Sequence, residues 1–150
     1  MKKQKTVYTK KSDTDKQWYI INAKDQILGR LASYVARILL GKNKATYSPS
    51  VDMGDFVIIL NADQIKVTGK KATDKIYYNH SRFPGGLKQR TFNEMIEKHP
   101  EKVLYTAIKG MLPKNRLGRQ MLTKVKIYAN DTHPHDAQSP IELLVNKEEK

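Results

Sequence analysis

The chain contains no cysteine. That excludes disulfide staples, thiolate nucleophiles and cysteine-ligated zinc or iron–sulfur centres, and it fits a reducing compartment. No apolar run approaches the roughly 20 residues that a membrane-spanning helix needs. Histidine is scarce, with four in the chain, and no Gly-x-Ser-x-Gly elbow is present, so no nucleophile–base set stands out. Acid is short as well: 15 Asp and Glu face 28 Lys and Arg, for a net charge of +13 over 150 residues. That length suits one domain, able to bury roughly 70% of its unfolded surface without a staple.

What is abundant is positive charge, and it is unevenly spread. Residues 80–126 carry eleven basic side chains against three acidic ones, whereas residues 127–150 carry two against five. A merely solubilising surface does not need such clustering. A concentrated cationic patch repels itself, and a polyanion relieves it. Nucleic acid is the leading partner class, with an anionic membrane surface second. A membrane-surface module would put its basic residues along one amphipathic helix with bulky apolar neighbours; here the charge concentrates in segments that read as loops. The first 17 residues, MKKQKTVYTKKSDTDKQ, are basic with no apolar segment behind them, so they read as a basic arm rather than a secretory signal.

Apolar periodicity places the elements. Trp18 to Ala23, WYIINA, predicts a buried strand. Leu28, Leu31, Ala32, Val35, Ile38 and Leu39 recur at helical spacing, and Gly41 marks the stop. Phe56 to Leu60, FVIIL, predicts a second buried strand, and Ile65-Lys66-Val67 a third. Strand, helix and strand within about 45 residues point to a crossover unit and a largely parallel sheet. Residues 70–90 read as irregular. Thr91 and Glu94 form a capping box ahead of Phe92, Met95 and Ile96. Pro100 opens a helix with Val103, Leu104, Ala107 and Ile108 on one face, and Pro113 ends it. Val125, Ile127 and Tyr128 predict a last strand, followed by an irregular, polar C-terminal tail. The expected organisation is a basic extension over 1–16 and one domain over 17–150.

Two clusters carry the binding signal. Lys109 to Arg119, KGMLPKNRLGR, has four cations in eleven residues. Lys109 also suits the negative end of a helix dipole. Lys114, Arg116 and Arg119 are read as lying beyond the helix in a loop, where arginine forks match phosphate oxygens and lysines act as point charges. Gly110 and Gly118 are read as allowing close backbone approach. The second cluster, Gly69 to Arg90, interleaves Lys70, Lys71, Lys75, His80, Arg82, Lys88 and Arg90 with Tyr77, Tyr78 and Phe83. Cations track a backbone and aromatics stack on unpaired bases, although each aromatic taken singly is better explained by packing on the sheet. Arg30 at the helix start, Lys42 and Lys44 in GKNK, and Lys124 complete the candidate nucleic-acid-binding set.

Other constellations point away from catalysis. VTGKKAT lacks the glycine five residues before Gly69 and has Lys71 at the Ser/Thr position of a phosphate loop, and Asp25–Gly29 supplies a single glycine after the first strand. Asp52 and Asp55 in VDMGD, three apart beside Gly54, suit capping and ion pairing in a turn better than acid–base work. His133, His135 and Asp136 lack a further ligand at a recognisable spacing.

The residues also carry a pattern. WYIINA, LGRLAS, GKNKATYSP, VDMGD, LNADQIKVTGKK, DKIYYNHS, PGGLK, IKGMLPKNRLGR and KIYANDTHPHDAQSP stand in the order and spacing of the bacterial-type large-subunit ribosomal protein L thirteen family, which the chain resembles from about Trp18 to about Pro140. Asn22 stands where that family usually has aspartate, and Arg82 where it often has glycine. The resemblance implies a three-layer α/β/α single domain with a mostly parallel central sheet. It implies a ribosomal location, in a bacterial cytoplasm or a plastid stroma, and binding to large-subunit ribosomal RNA of the 23S type beside neighbouring ribosomal proteins, early in subunit assembly. It implies no enzymatic activity, cofactor, metal, membrane or small-molecule substrate. Carried onto this chain, the GMLP segment with Lys114, Arg116 and Arg119 and the TGKK-to-PGG region are expected to lie against RNA.

Overall fold

The computed structural model describes residues 9–10 and 14–145, so most of the expected 1–16 extension lies outside the described residues. Strands β1 (Trp18–Asn22) and β2 (Phe56–Leu60) pair in parallel, with Trp18 opposite Phe56 and Asn22 opposite Leu60. Strand β5 (Val125–Ile127) extends β2, and the two-residue β6 (Ile141–Glu142) extends the other side of β1, again in parallel. The sheet order is β5-β2-β1-β6. The chain is therefore α/β with a parallel central sheet, as the strand–helix–strand spacing predicts.

The helices pack on one face of that sheet. Helix α1 (Leu28–Leu40) buries Leu28, Leu31, Val35 and Leu39 and ends at Gly41, whose φ of 77° closes the last turn. Helix α4 (Pro100–Met111) buries Val103, Leu104 and Ile108. Both join Ile21, Val57, Ile59 and Val125 in one core cluster. Each fully buried aliphatic side chain there contributes about 1.5–3 kcal/mol. The alternate strand positions face the other way. There Trp18 stacks on Phe56, with centroids 4.4 Å apart, and the His135 ring covers Trp18 at 5.3 Å. Residues after β5 thus supply the layer on that face, with only a short 3-10 turn at Asp136–Gln138. His135 also hydrogen bonds Tyr128 through Nε2 at 2.8 Å, so the His-Pro-His segment packs against the sheet.

Four local expectations change. Ile65–Val67 is not a strand: Asn61 takes a left-handed φ of 54° and a 3-10 turn follows, leaving one parallel bridge between Ile27 and Lys66. Residues 70–90 are ordered into a short helix α2 (Lys71–Asp74) and an antiparallel hairpin, β3 (Ile76–His80) with β4 (Leu87–Thr91). Thr91 then caps helix α3 (Phe92–Lys98) by accepting from the Glu94 amide, as the capping box predicts. The expected loop after Pro113 contains helix α5 (Arg116–Leu122), capped by the Asn115 side chain accepting from the Gly118 amide at 2.7 Å. The tail returns to the sheet as β6.

Candidate nucleic-acid interface

A parallel sheet has two unlike ends, and the predicted cations divide between them. At the amino ends of the strands they are neutralised. Lys124 has only 4% of its side chain exposed, and its ammonium donates to Asp52 Oδ1, the Gly54 carbonyl and the Leu39 carbonyl. All three donors are consumed. Lys124 is therefore not available to RNA, a correction to the expected set: its position just before a buried strand fixes it inside. Lys16 holds the other Asp52 oxygen at 3.0 Å. Burial alone would raise the Asp52 carboxyl, but the hydrogen bonds from Lys124 and Lys16 bring it below the usual carboxylate range. Burial lowers the Lys124 ammonium despite Asp52. Asp55, fully buried, accepts from the Gln17 amide and from Lys44, whose ammonium is thereby also committed. The two aspartates thus have the capping and pairing roles that their turn suggests. Lys42 is exposed in the turn after α1.

At the carboxyl ends of β1 and β2 the cations line open surface. One groove, about 670 Å³, runs between the first turn of α1, the segment before α2 and the end of α4. Arg30, Lys71 and Lys75 line it with Tyr77, and the Lys75 ammonium lies 5.5 Å from the Tyr77 ring centre. The crevice beyond the carboxyl ends of the strands is where open α/β sheets bind ligands. Lys70 is exposed just before α2.

The hairpin builds a second groove. Strand alternation and the register place Tyr77 and Asn79 on one face with Arg90 and Lys88, and Ile76, Tyr78 and His80 on the other with Leu87. The cationic face turns toward α4, where Lys88 and Arg90 share a groove with Lys102 and Thr106. Tyr77 and Thr106 border both grooves. The two tyrosines thus part company: Tyr77 packs against the core, as expected of a lone aromatic, while Tyr78 is 63% exposed. At the hairpin tip, Phe83 is 73% exposed and Arg82 holds a left-handed φ of 71°. That is a conformation glycine adopts without strain, which gives the glycine of the family pattern a physical reason. The His80 ring supports the turn, its Nδ1 accepting from the Arg82 amide at 2.9 Å.

Helix α5 carries Arg116 and Arg119 exposed on its outer side, with Lys114 exposed ahead of it, while Gly118, Met121 and Leu122 face inward. A Cβ at Gly118 would fall 1.8 Å from the Pro113 carbonyl oxygen, so this glycine serves internal packing rather than approach to a partner. Gly110 has open space instead. Lys109 is exposed in the last turn of α4. Among the described residues, no carboxylate lies within ion-pair distance of Arg30, Lys71, Lys75, Lys88, Arg90, Lys102, Lys109, Lys114, Arg116 or Arg119. Lys102 is the member that sequence reading misses. The signal is there in the i, i+4 spacing of Lys102 and Thr106 on α4, off the Val103–Leu104–Ile108 face. Among the described residues, no cluster of three or more His, Asp or Glu is placed to hold a metal ion, and no helix is long and apolar enough to cross a membrane.

Comparison with known proteins gives the family. The model of the family described as Ribosomal protein L13 matches residues 16–134. The chain is 57% identical over 141 residues to the large ribosomal subunit protein uL13 of Symbiobacterium thermophilum, covering 94% of this chain and 99% of that one. It is 54% identical to the uL13 of Crocosphaera subtropica, over 95% of this chain and 94% of the other. Against the uL13 of Thermotoga petrophila the identity is 52%, covering 91% and 92%. With the family match spanning β1, β2 and β5, both grooves and α5, the chain belongs to the ribosomal protein L13 family.

Proposed function

We propose that this protein is a structural constituent of the large ribosomal subunit that binds its ribosomal RNA, of the 23S type, and supports early subunit assembly beside neighbouring ribosomal proteins. The observation that carries this reading is the separation of charge. Buried aspartates satisfy the lysines at the amino ends of the strands, while the cations at the two grooves and on α5 have no acidic partner among the described residues. Such a surface is costly alone and stabilised by phosphates. Arg30, Lys70, Lys71 and Lys75 meet RNA at the first groove. Lys88, Arg90 and Lys102 meet it at the second, with His80 and Arg82 at the hairpin tip. Lys109, Lys114, Arg116 and Arg119 form a third contact, and Lys42 a peripheral one. Most contacts are to backbone, fixing register and shape rather than reading bases.

The test is sedimentation of the tagged full chain from cells, followed by RNA crosslinking. Co-migration with large subunits and crosslinks near Lys71, Lys88 and Arg116 are expected. A chain that stays in the ribosome-free fraction at low salt contradicts the reading.

A further inference from the structure

Two helical glycines stand where nothing among the described residues requires glycine. Gly29 lies in the first turn of α1 and Gly110 in the last turn of α4. A Cβ built on either meets no atom within 4 Å, and neither has a positive φ. Apart from proline, glycine is the poorest helix former, so alanine would serve the free fold better at both positions. Gly118 shows the contrasting case, where an internal carbonyl forbids any side chain.

Gly29 and Gly110 line the same groove from two different helices. The space they leave is therefore held open between two helices, on the surface already distinguished by its cations. Val67, Ala107 and Met111 give that groove an apolar wall, and Arg30, Lys71 and Lys75 give it a positive rim. The first turn of α1 has no acidic residue and no side-chain cap, so the positive end of its dipole adds to the rim. An occupant that suits this lining has one anionic part and one flat, largely apolar part. A duplex fits poorly, because its bases face inward; an unpaired nucleotide offers both parts, and splayed bases are the usual targets of protein pockets in RNA.

We propose that the groove seats one unpaired nucleotide of the bound RNA, its phosphate toward Arg30, Lys71, Lys75 and the first turn of α1 and its base against Val67, Ala107 and Met111. This rests on the RNA-binding reading above. A free nucleotide shares the same chemistry, and the test separates the two sources.

The test uses the full chain with Gly29→Ala, Gly110→Ala and the double substitution. Melting temperature is measured, with affinity for a large-subunit ribosomal RNA transcript at fixed salt and binding of adenosine monophosphate. The alanine variants are expected to melt at or above the wild-type temperature while the double variant binds RNA about tenfold more weakly. Wild-type RNA affinity in the double variant overturns the proposal, and so does weaker binding accompanied by a lower melting temperature, since the glycines would then be structural. Saturable adenosine monophosphate binding that the substitutions abolish, with RNA affinity unchanged, also overturns it in favour of a free ligand. The Arg116→Ala/Arg119→Ala protein on the same transcript keeps the two readings apart. If that variant loses affinity while the glycine variants do not, only the groove proposal fails; if wild type itself does not bind the transcript, the RNA reading fails with it.

Discussion

Lys124 and Arg82 show how much one side chain's surroundings decide. Lys124 belongs by count to the cationic excess, yet it is buried against Asp52 and two carbonyls and holds the start of β5 to the end of α1. Removing one partner of such a pair leaves a buried, uncompensated charge, at a cost of about 3–5 kcal/mol. Asp52→Asn should therefore lower the unfolding free energy obtained from urea titration by about 3–5 kcal/mol at neutral pH. The pH dependence follows from the lowered Asp52 carboxyl. Because the folded state holds that proton less tightly than the unfolded chain, the stabilisation is complete above the unfolded carboxylate pKa of about 4. It is lost as pH falls below that value through the folded one, and urea titrations across that range should show the drop in wild type and a smaller one in Asp52→Asn. Arg82 pays a local price, its left-handed φ, for a charge at the hairpin tip. Arg82→Gly should raise stability by up to about 1 kcal/mol while weakening RNA binding. Tyr77 is a third case: its hydroxyl is buried without a hydrogen-bond partner among the described residues, and burial raises its pKa. Tyr77→Phe should be neutral or stabilising by up to about 1 kcal/mol in thermal melts, and a loss of several kcal/mol would mean that the hydroxyl has a partner.

Among the elements, the hairpin and α5 give the interface its shape. The hairpin turns charge inward to a groove and leaves Tyr78 and Phe83 outside. Helix α5 holds Arg116 and Arg119 on a fixed surface. Because both are exposed, Arg116→Ala/Arg119→Ala should leave the unfolding free energy almost unchanged, within about 0.5 kcal/mol. The same variant should make the salt slope of RNA binding shallower by about 2 if each meets one phosphate. Gly118→Ala should do the reverse, costing about 1–3 kcal/mol by forcing Pro113 away. The long elements were legible in the sequence because their apolar residues repeat at one period: WYIINA and FVIIL as buried strands, LGRLASYVARILL as an amphipathic helix. The short ones were not. IYYNH and LKQRT alternate as a hairpin should, but the same aromatic and basic residues equally suit an irregular binding segment. Asn115 is a good cap, yet a seven-residue helix after Pro113 offers too few apolar positions to announce itself. The burial of Lys124 depends on contacts 70 to 85 residues away in sequence, which no local pattern encodes.

At the scale of the molecule, the parallel sheet sorts charge. Its amino ends gather aspartates and lysines into an ion-paired network that anchors β1, α1 and β5, with Asp55 Oδ2 buried and unpartnered among the described residues. Its carboxyl ends leave cations around two grooves with no acidic partner among the described residues. The net charge of +13 is therefore directed, and the sequence shows it as the clusters Gly69 to Arg90 and Lys109 to Arg119 but not as two ends of one sheet. Affinity that comes from backbone charge must fall steeply with salt. The most direct test is the binding of purified wild type to a large-subunit ribosomal RNA transcript between 50 and 200 mM monovalent salt. If only about six of the proposed side chains each meet one phosphate, the log–log slope is already about −4 to −5 and the loss in affinity several hundredfold to a thousandfold. An affinity that changes less than about threefold over that range would contradict RNA binding through these cations.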